Sequence, residues 1–204
     1  MKHSIKSETR KKRTGSKQTI RRIIQNRDVK LPTNWKGFLG LSEKKADLAR
    51  FLSDELSKKE IEEDTELVAS GGFADIHTVY AIKIRDLSNL SSTHEEADTR
   101  ILLHAKDCQE SGFDQTIIVC RDTVVLIMVI AFVSELSSDV WVNIGTYRKP
   151  KLVSVGEIKL PDALSASILG FHALTGCDST SQFAGISKKS AWKIFKEEAR
   201  LLNG

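Results

Sequence analysis

A chain of 204 residues with 40% apolar side chains can bury one core of ordinary size. Three prolines and twelve glycines exclude fibrous and low-complexity classes, and three scattered cysteines, Cys108, Cys120 and Cys177, exclude a disulfide framework or a paired-cysteine zinc ribbon and point to a reducing, intracellular compartment. The net charge of +4 is polarised, because residues 1–27 hold ten bases and one acid, leaving 21 bases and 26 acids over residues 28–204.

Residues 1–30 read as a basic, disordered arm, since the first 19 carry no apolar periodicity. Such an arm can bind nucleic acid by neutralising phosphates, and its "RKKR" at 10–13 leans towards nuclear import; a solvated tail is the structural alternative. No apolar segment follows the basic N-terminus, so no signal peptide is expected. "LPTNWKGFLGL" (31–41) reads as a hydrophobic anchor. Ser42 is placed as the cap of a helix that sets Ala46, Leu48, Phe51, Leu52 and Leu56 mainly along one face. "TELVASGGF" (65–73) reads as a short strand running into a Gly-Gly turn.

The clearest helix is "THEEADTRILLHAKDCQES" (93–111), with Thr93 and Glu96 as a capping box and Gly112 as its stop. "DQTIIVCRD" (114–122) follows as a β-branched strand. "TVVLIMVIAFVSEL" (123–136) is apolar all round and therefore buried. Its ten-residue apolar run at 124–133 falls well short of the roughly 20 residues that span a bilayer, so no membrane partner is expected. "VWVNIG" and "KLVSV" read as two further strands. "LPDALSASILGFHALTG" (160–176) is a helix with Pro161 near its start and Gly176 at its end, and residues 187–202 form an amphipathic helix. Strands alternating with helices predict an α/β fold with a largely parallel sheet, whose site lies where strand ends pass into helices.

Four acids sit at the ends of otherwise apolar elements: Glu96, Asp98, Asp122 and Asp178. Carboxylates drawn together repel unless a cation balances them, and Mg²⁺ takes carboxylate oxygens and water. Two such ions about 4 Å apart activate water in phosphodiester cleavage. Each of the first three acids also has a structural reading: Glu96 in the capping box, Asp98 at the positive helix end, Asp122 as cap of the next helix. A zinc-hydrolase reading of "HEEADTRILLH" fails, since Asp98 stands where the second histidine belongs and Ile101 where a glycine turn would bring in a third ligand.

The order Glu-Ala-Asp on a helix, an acid after an apolar strand, then Gly-Cys-Asp and Gly-Ile-x-x-Lys resembles the flap-endonuclease/5′-exonuclease branch of the PIN-like nucleases. "HEEADTRILLHA", "VCRDTVVLIMV" and "FHALTGCDSTSQF" look still closer to a family of uncharacterised, mobile-element-like animal proteins, a likeness that runs over most of the chain from "VKLPTNWKGFLGLSEKKADLARFLS". The resemblance implies a PIN-like domain over 31–204, with Glu96, Asp98, Asp122 and Asp178 as catalytic ligands of Mg²⁺ or Mn²⁺. It makes Gly185, Ile186 and Ser187 a tight hairpin before a helix, with Lys188 and Lys189 contacting phosphates of nucleic acid, DNA ahead of RNA. Val124 replaces the second acid of the family's Asp-x-Asp, Ser187 and Lys188 replace its Gly-Pro, and no apolar strand precedes Leu31. The expectation is a truncated, degenerate copy with little cleavage, or else a non-catalytic nucleic-acid-binding module or a fragment without independent activity.

Overall fold

The computed structural model describes residues 23–24, 26–40, 42–92, 97–137, 139–177 and 184–198. Of the arm, residues 1–22, with the 10–13 basic run, and residue 25 lie outside the described residues, as do the capping-box residues Thr93 and Glu96. In its described part Ile24 is buried and Arg27 pairs with Glu55. The chain is mixed α/β, with six α-helices and two small sheets among the described residues, and divides into two compact units, Met1–Glu95 and Glu96–Gly204.

In the first unit, α1 (Trp35–Leu39) opens with Asn34, whose side-chain oxygen accepts the Gly37 N–H at 2.9 Å. The expected anchor rests on Phe38, which is buried and stacked on Trp35, while Leu31 stays exposed. Lys44 lays its ammonium 5.4 Å from the centre of the Phe38 ring. Helix α2 (Ser42–Ser57) starts at Ser42 itself, one residue earlier than the cap placement expected. Its packed face also differs from the apolar stripe: Leu52 and Leu56 are exposed, whereas Lys44 and Ser53 are buried. The reason lies in its neighbour. Strands β1 (Val68–Ser70) and β2 (Val79–Ala81) pair antiparallel, and Gly71 and Gly72, both left-handed at φ near +80°, follow β1. Ser53 donates to the Gly71 carbonyl at 2.9 Å, and a Cβ on Gly72 would collide with Ser53 and Ala49. Only small side chains fit against that turn, so they choose the face.

In the second unit, α3 (Ala97–Glu110) ends as expected at Gly112, φ +85°. The N–H of Phe113 bonds the Cys108 carbonyl and that of Gly112 bonds the Gln109 carbonyl, the paired pattern of a left-handed helix stop. Next come β3 (Gln115–Val119), α4 (Thr123–Ala131), β4 (Asp139–Asn143) and β5 (Leu152–Ser154). β3 and β4 are parallel, from Gln115 opposite Asp139 to Val119 opposite Asn143, with α4 as the crossover. β5 returns antiparallel to β4. The expectation of a largely parallel sheet is corrected: one parallel pair stands beside one antiparallel pair, because residues 144–151 form a hairpin loop too short for a crossover. α5 (Asp162–Leu174) starts behind Pro161 and is followed by Gly176 at φ +91°, and α6 (Lys188–Glu198) closes the described chain.

The core of this unit joins the apolar α4 to the inner faces of the sheet, with Val125, Val129, Val140, Val142 and Val155 all but fully buried. A buried hydroxyl pair, Thr116 with Ser137 at 2.7 Å, satisfies both polar groups there. α6 docks through a smaller aromatic cluster of Phe171, Trp192 and Phe195. None of the three cysteines is joined in a disulfide. Among the described residues no helix is long and apolar enough to cross a membrane.

Candidate functional site

Parallel β3 and β4 bring their carboxyl ends to one edge of the sheet, and Cys120, Arg121 and Asp122 lead from β3 into α4 there. The Asp122 carboxylate accepts the Val124 N–H at 2.9 Å and so caps α4. That satisfies one of the N–H groups a helix start leaves without an intrahelical partner.

A second helix start lies at α6. Gly185 takes φ +77°, the exposed Ile186 follows, and Ser187 caps the helix. Its Oγ accepts the Ser190 N–H at 3.1 Å and its carbonyl accepts the Ala191 N–H at 3.0 Å. Lys188 and Lys189 are both exposed in the first turn.

The two starts and the end of α5 share one electrostatic neighbourhood around His172. Burial holds the His172 imidazole below its usual pKa, the Lys188 ammonium adds to that, and the Asp122 carboxylate opposes it. The Nε2 of His172 is buried with no hydrogen-bond partner among the described residues. His172, Lys188 and Thr123 line a cavity of about 430 Å³, walled by Ile127, Phe171 and Trp192 among other apolar side chains.

Of the four predicted acids, Asp98 lies in the first turn of α3 and is half-buried, and Asp122 is placed as above. Glu96 and Asp178 lie outside the described residues. Asp98 and Asp122 carry the hard oxygen donors that Mg²⁺ takes, yet among the described residues no three His, Cys, Asp or Glu side chains gather to hold a metal ion. The described residues alone therefore do not complete a Mg²⁺ donor set.

Two features lie beyond what sequence reasoning finds. One is His172, since nothing local marks a histidine in an apolar helix as facing a distant lysine. The other is a hollow of about 850 Å³ at the carboxyl ends of β3 and β4, lined by Arg121, Asn143, Tyr147 and Arg148 among others. Its one signal is the run "TYRKPK" at 146–151, an aromatic set among bases.

No family model, no curated protein and no solved structure matches the chain.

Proposed function

We propose that residues 31–204 carry a divergent nuclease-type domain of the PIN-like, flap-endonuclease branch that binds nucleic acid through its phosphates, with cleavage impaired. The observation that carries this reading is the start of α6. The left-handed Gly185, the Ser187 cap and the exposed Lys188 and Lys189 make a helix N-terminus where a phosphate meets backbone N–H groups, the positive end of the helix and two ammonium groups together. The sheet supports it. Asp122 follows the end of a parallel strand, where ligands of open α/β sheets bind.

In this reading Glu96, Asp98, Asp122 and Asp178 are the residues that would take Mg²⁺ or Mn²⁺, and the ion would supply the charge that activates water. The impairment rests on Val124. It stands where the resembled family has a second acid and puts an isopropyl group in that carboxylate's place, while its backbone N–H, which any non-proline residue would supply, bonds Asp122. A second reading, a non-catalytic nucleic-acid-binding module, is favoured by the same bond, since it gives Asp122 a purely structural occupation as a helix cap. Nuclear residence belongs to either reading and rests on the basic run at 10–13.

The test incubates the full chain with labelled flap DNA and Mn²⁺, beside Asp178→Ala and Asp122→Asn. Slow, metal-dependent cutting that disappears in both variants supports the nuclease-type reading. Binding that survives EDTA and weakens steeply with salt, without cutting, supports the module. Absence of binding at low salt overturns both.

A further inference from the structure

The geometry points to the β4–β5 hairpin tip, together with Arg121, as a binding site for single-stranded nucleic acid, with Tyr147 stacking on a base and Arg121, Arg148 and Lys149 holding its phosphates. This deepens the nucleic-acid reading above and rests on it, but it concerns residues that the helix start of α6 does not include.

The tip is held in one shape. Thr146 and Lys149 exchange both backbone hydrogen bonds, at 3.0 and 3.1 Å, so Tyr147 and Arg148 form the two-residue apex. At the base, the Asn143 side-chain oxygen accepts the N–H groups of Gly145 and Lys151, each at 3.1 Å. The Cys120 N–H bonds the Asn143 carbonyl at 3.2 Å and ties the end of β3, hence Arg121, to the same base. The loop closes so tightly at Gly145 that a Cβ there would collide with the backbone of Lys149 and Lys151. An apex braced in this way presents its side chains at low cost in ordering on binding.

What it presents is unusual for a surface without a partner. Tyr147 is fully exposed, so its ring buries nothing against the fold. Arg121, Arg148, Lys149 and Lys151 are all exposed, and none makes an ion pair with a described residue. No acid occurs anywhere in residues 140–156, and among the described residues none lines the hollow of about 850 Å³ beneath the apex. Unpaired cations around an acid-free hollow attract a polyanion. The bare ring selects among polyanions. Duplex bases hide their faces in the stack, whereas single-stranded bases offer theirs to an aromatic platform, with phosphates within reach of guanidinium groups beside it. Tyr147 is also the only aromatic of the apex, with Thr146, Arg148 and Lys149 around it, so little apolar area is present for insertion into a lipid surface.

The test measures fluorescence anisotropy of a labelled single strand of about twelve nucleotides with the full chain in EDTA at low salt. Because Tyr147 makes no packing contact, Tyr147→Ala leaves the fold intact, and it is expected to weaken binding about tenfold, while Tyr147→Phe restores it, since stacking needs no hydroxyl. The combined Arg121→Gln, Arg148→Gln and Lys149→Gln variant is expected to flatten the slope of log K against log salt by about 2, at about 0.7 for each phosphate that is no longer neutralised. Parent affinity in Tyr147→Ala overturns the hairpin site while leaving the nucleic-acid reading standing. A preference for duplex of the same length overturns it too, and so does equal affinity for an acidic peptide without any effect of Tyr147→Ala. A parent chain that binds no oligonucleotide overturns both readings.

Discussion

The Oδ1 atom of Asp122 accepts the Val124 N–H at 2.9 Å, and that bond sets what each substitution at this position does. Alanine removes the cap and is expected to cost about 1 kcal/mol of stability, read as a lowered denaturation midpoint. Asparagine keeps an oxygen for the same N–H, so Asp122→Asn should stay within a few tenths of a kcal/mol of the parent. Any larger effect of Asp122→Asn on nucleic-acid cutting then reports the lost charge and not a loosened helix. His172 offers the complementary case. Its pKa lies below the usual 6.5 because burial, and then Lys188, disfavour the imidazolium. Between the depressed folded value and 6.5 the unfolded chain binds more protons, so this residue's contribution is intact above 6.5 and is lost as pH falls through the folded pKa. His172→Phe should remove that dependence, its ring resting against the cavity already walled by Phe171 and Trp192. The checkable result is a smaller drop in denaturation midpoint on acidification from about pH 7.5 to about pH 5.5 than the parent shows.

Elements whose signals are local are legible in the amino-acid order by itself. The all-apolar α4, the stop at Gly112, Pro161 ahead of α5 and the helix starting beside Ser187 each follow from residues within one turn. Features that depend on partners far along the chain leave no such mark. The stripe of α2 holding Leu52 and Leu56 points outward because a Gly-Gly turn claims the other face. β3 alternates between buried and exposed positions, where a strand in a parallel sheet covered on both faces would be apolar throughout. The candidate site divides in the same way: Asp122 and residues 185–189 carry local marks, but the meeting of His172 with Lys188 requires α6 to dock on α5. That docking rests on few side chains, of which Phe195 is the most buried. Phe195→Ala is expected to cost about 3 kcal/mol and to release α6 ahead of the sheet. Hydrogen exchange would show it as lost protection in residues 188–198 with protection retained in β4.

For the whole molecule, the sheet of the second unit ends at β3, which pairs among the described residues with β4 alone. Its outer face leaves Ile117 53% and Val119 75% exposed. An apolar strand with one unpaired side is a template for another chain, and charged side chains are the usual protection against it. Val119→Lys should slow aggregation on heating, read by light scattering, while moving the melting temperature little, since the side chain it replaces is largely solvated already. An unchanged aggregation rate would show that β3 is not the point of association.

The antiparallel return of β5 onto β4 also bears on how the chain finds its shape. Partners in that hairpin lie close in sequence, whereas β3 reaches β4 only after the whole of α4 has been laid down, with Gln115 opposite Asp139. Closing the shorter loop costs less chain entropy, so the hairpin can form within microseconds and then serve as the surface onto which the crossover condenses. A crowded glycine at its turn would accordingly govern how fast the domain assembles more than how long it stays assembled.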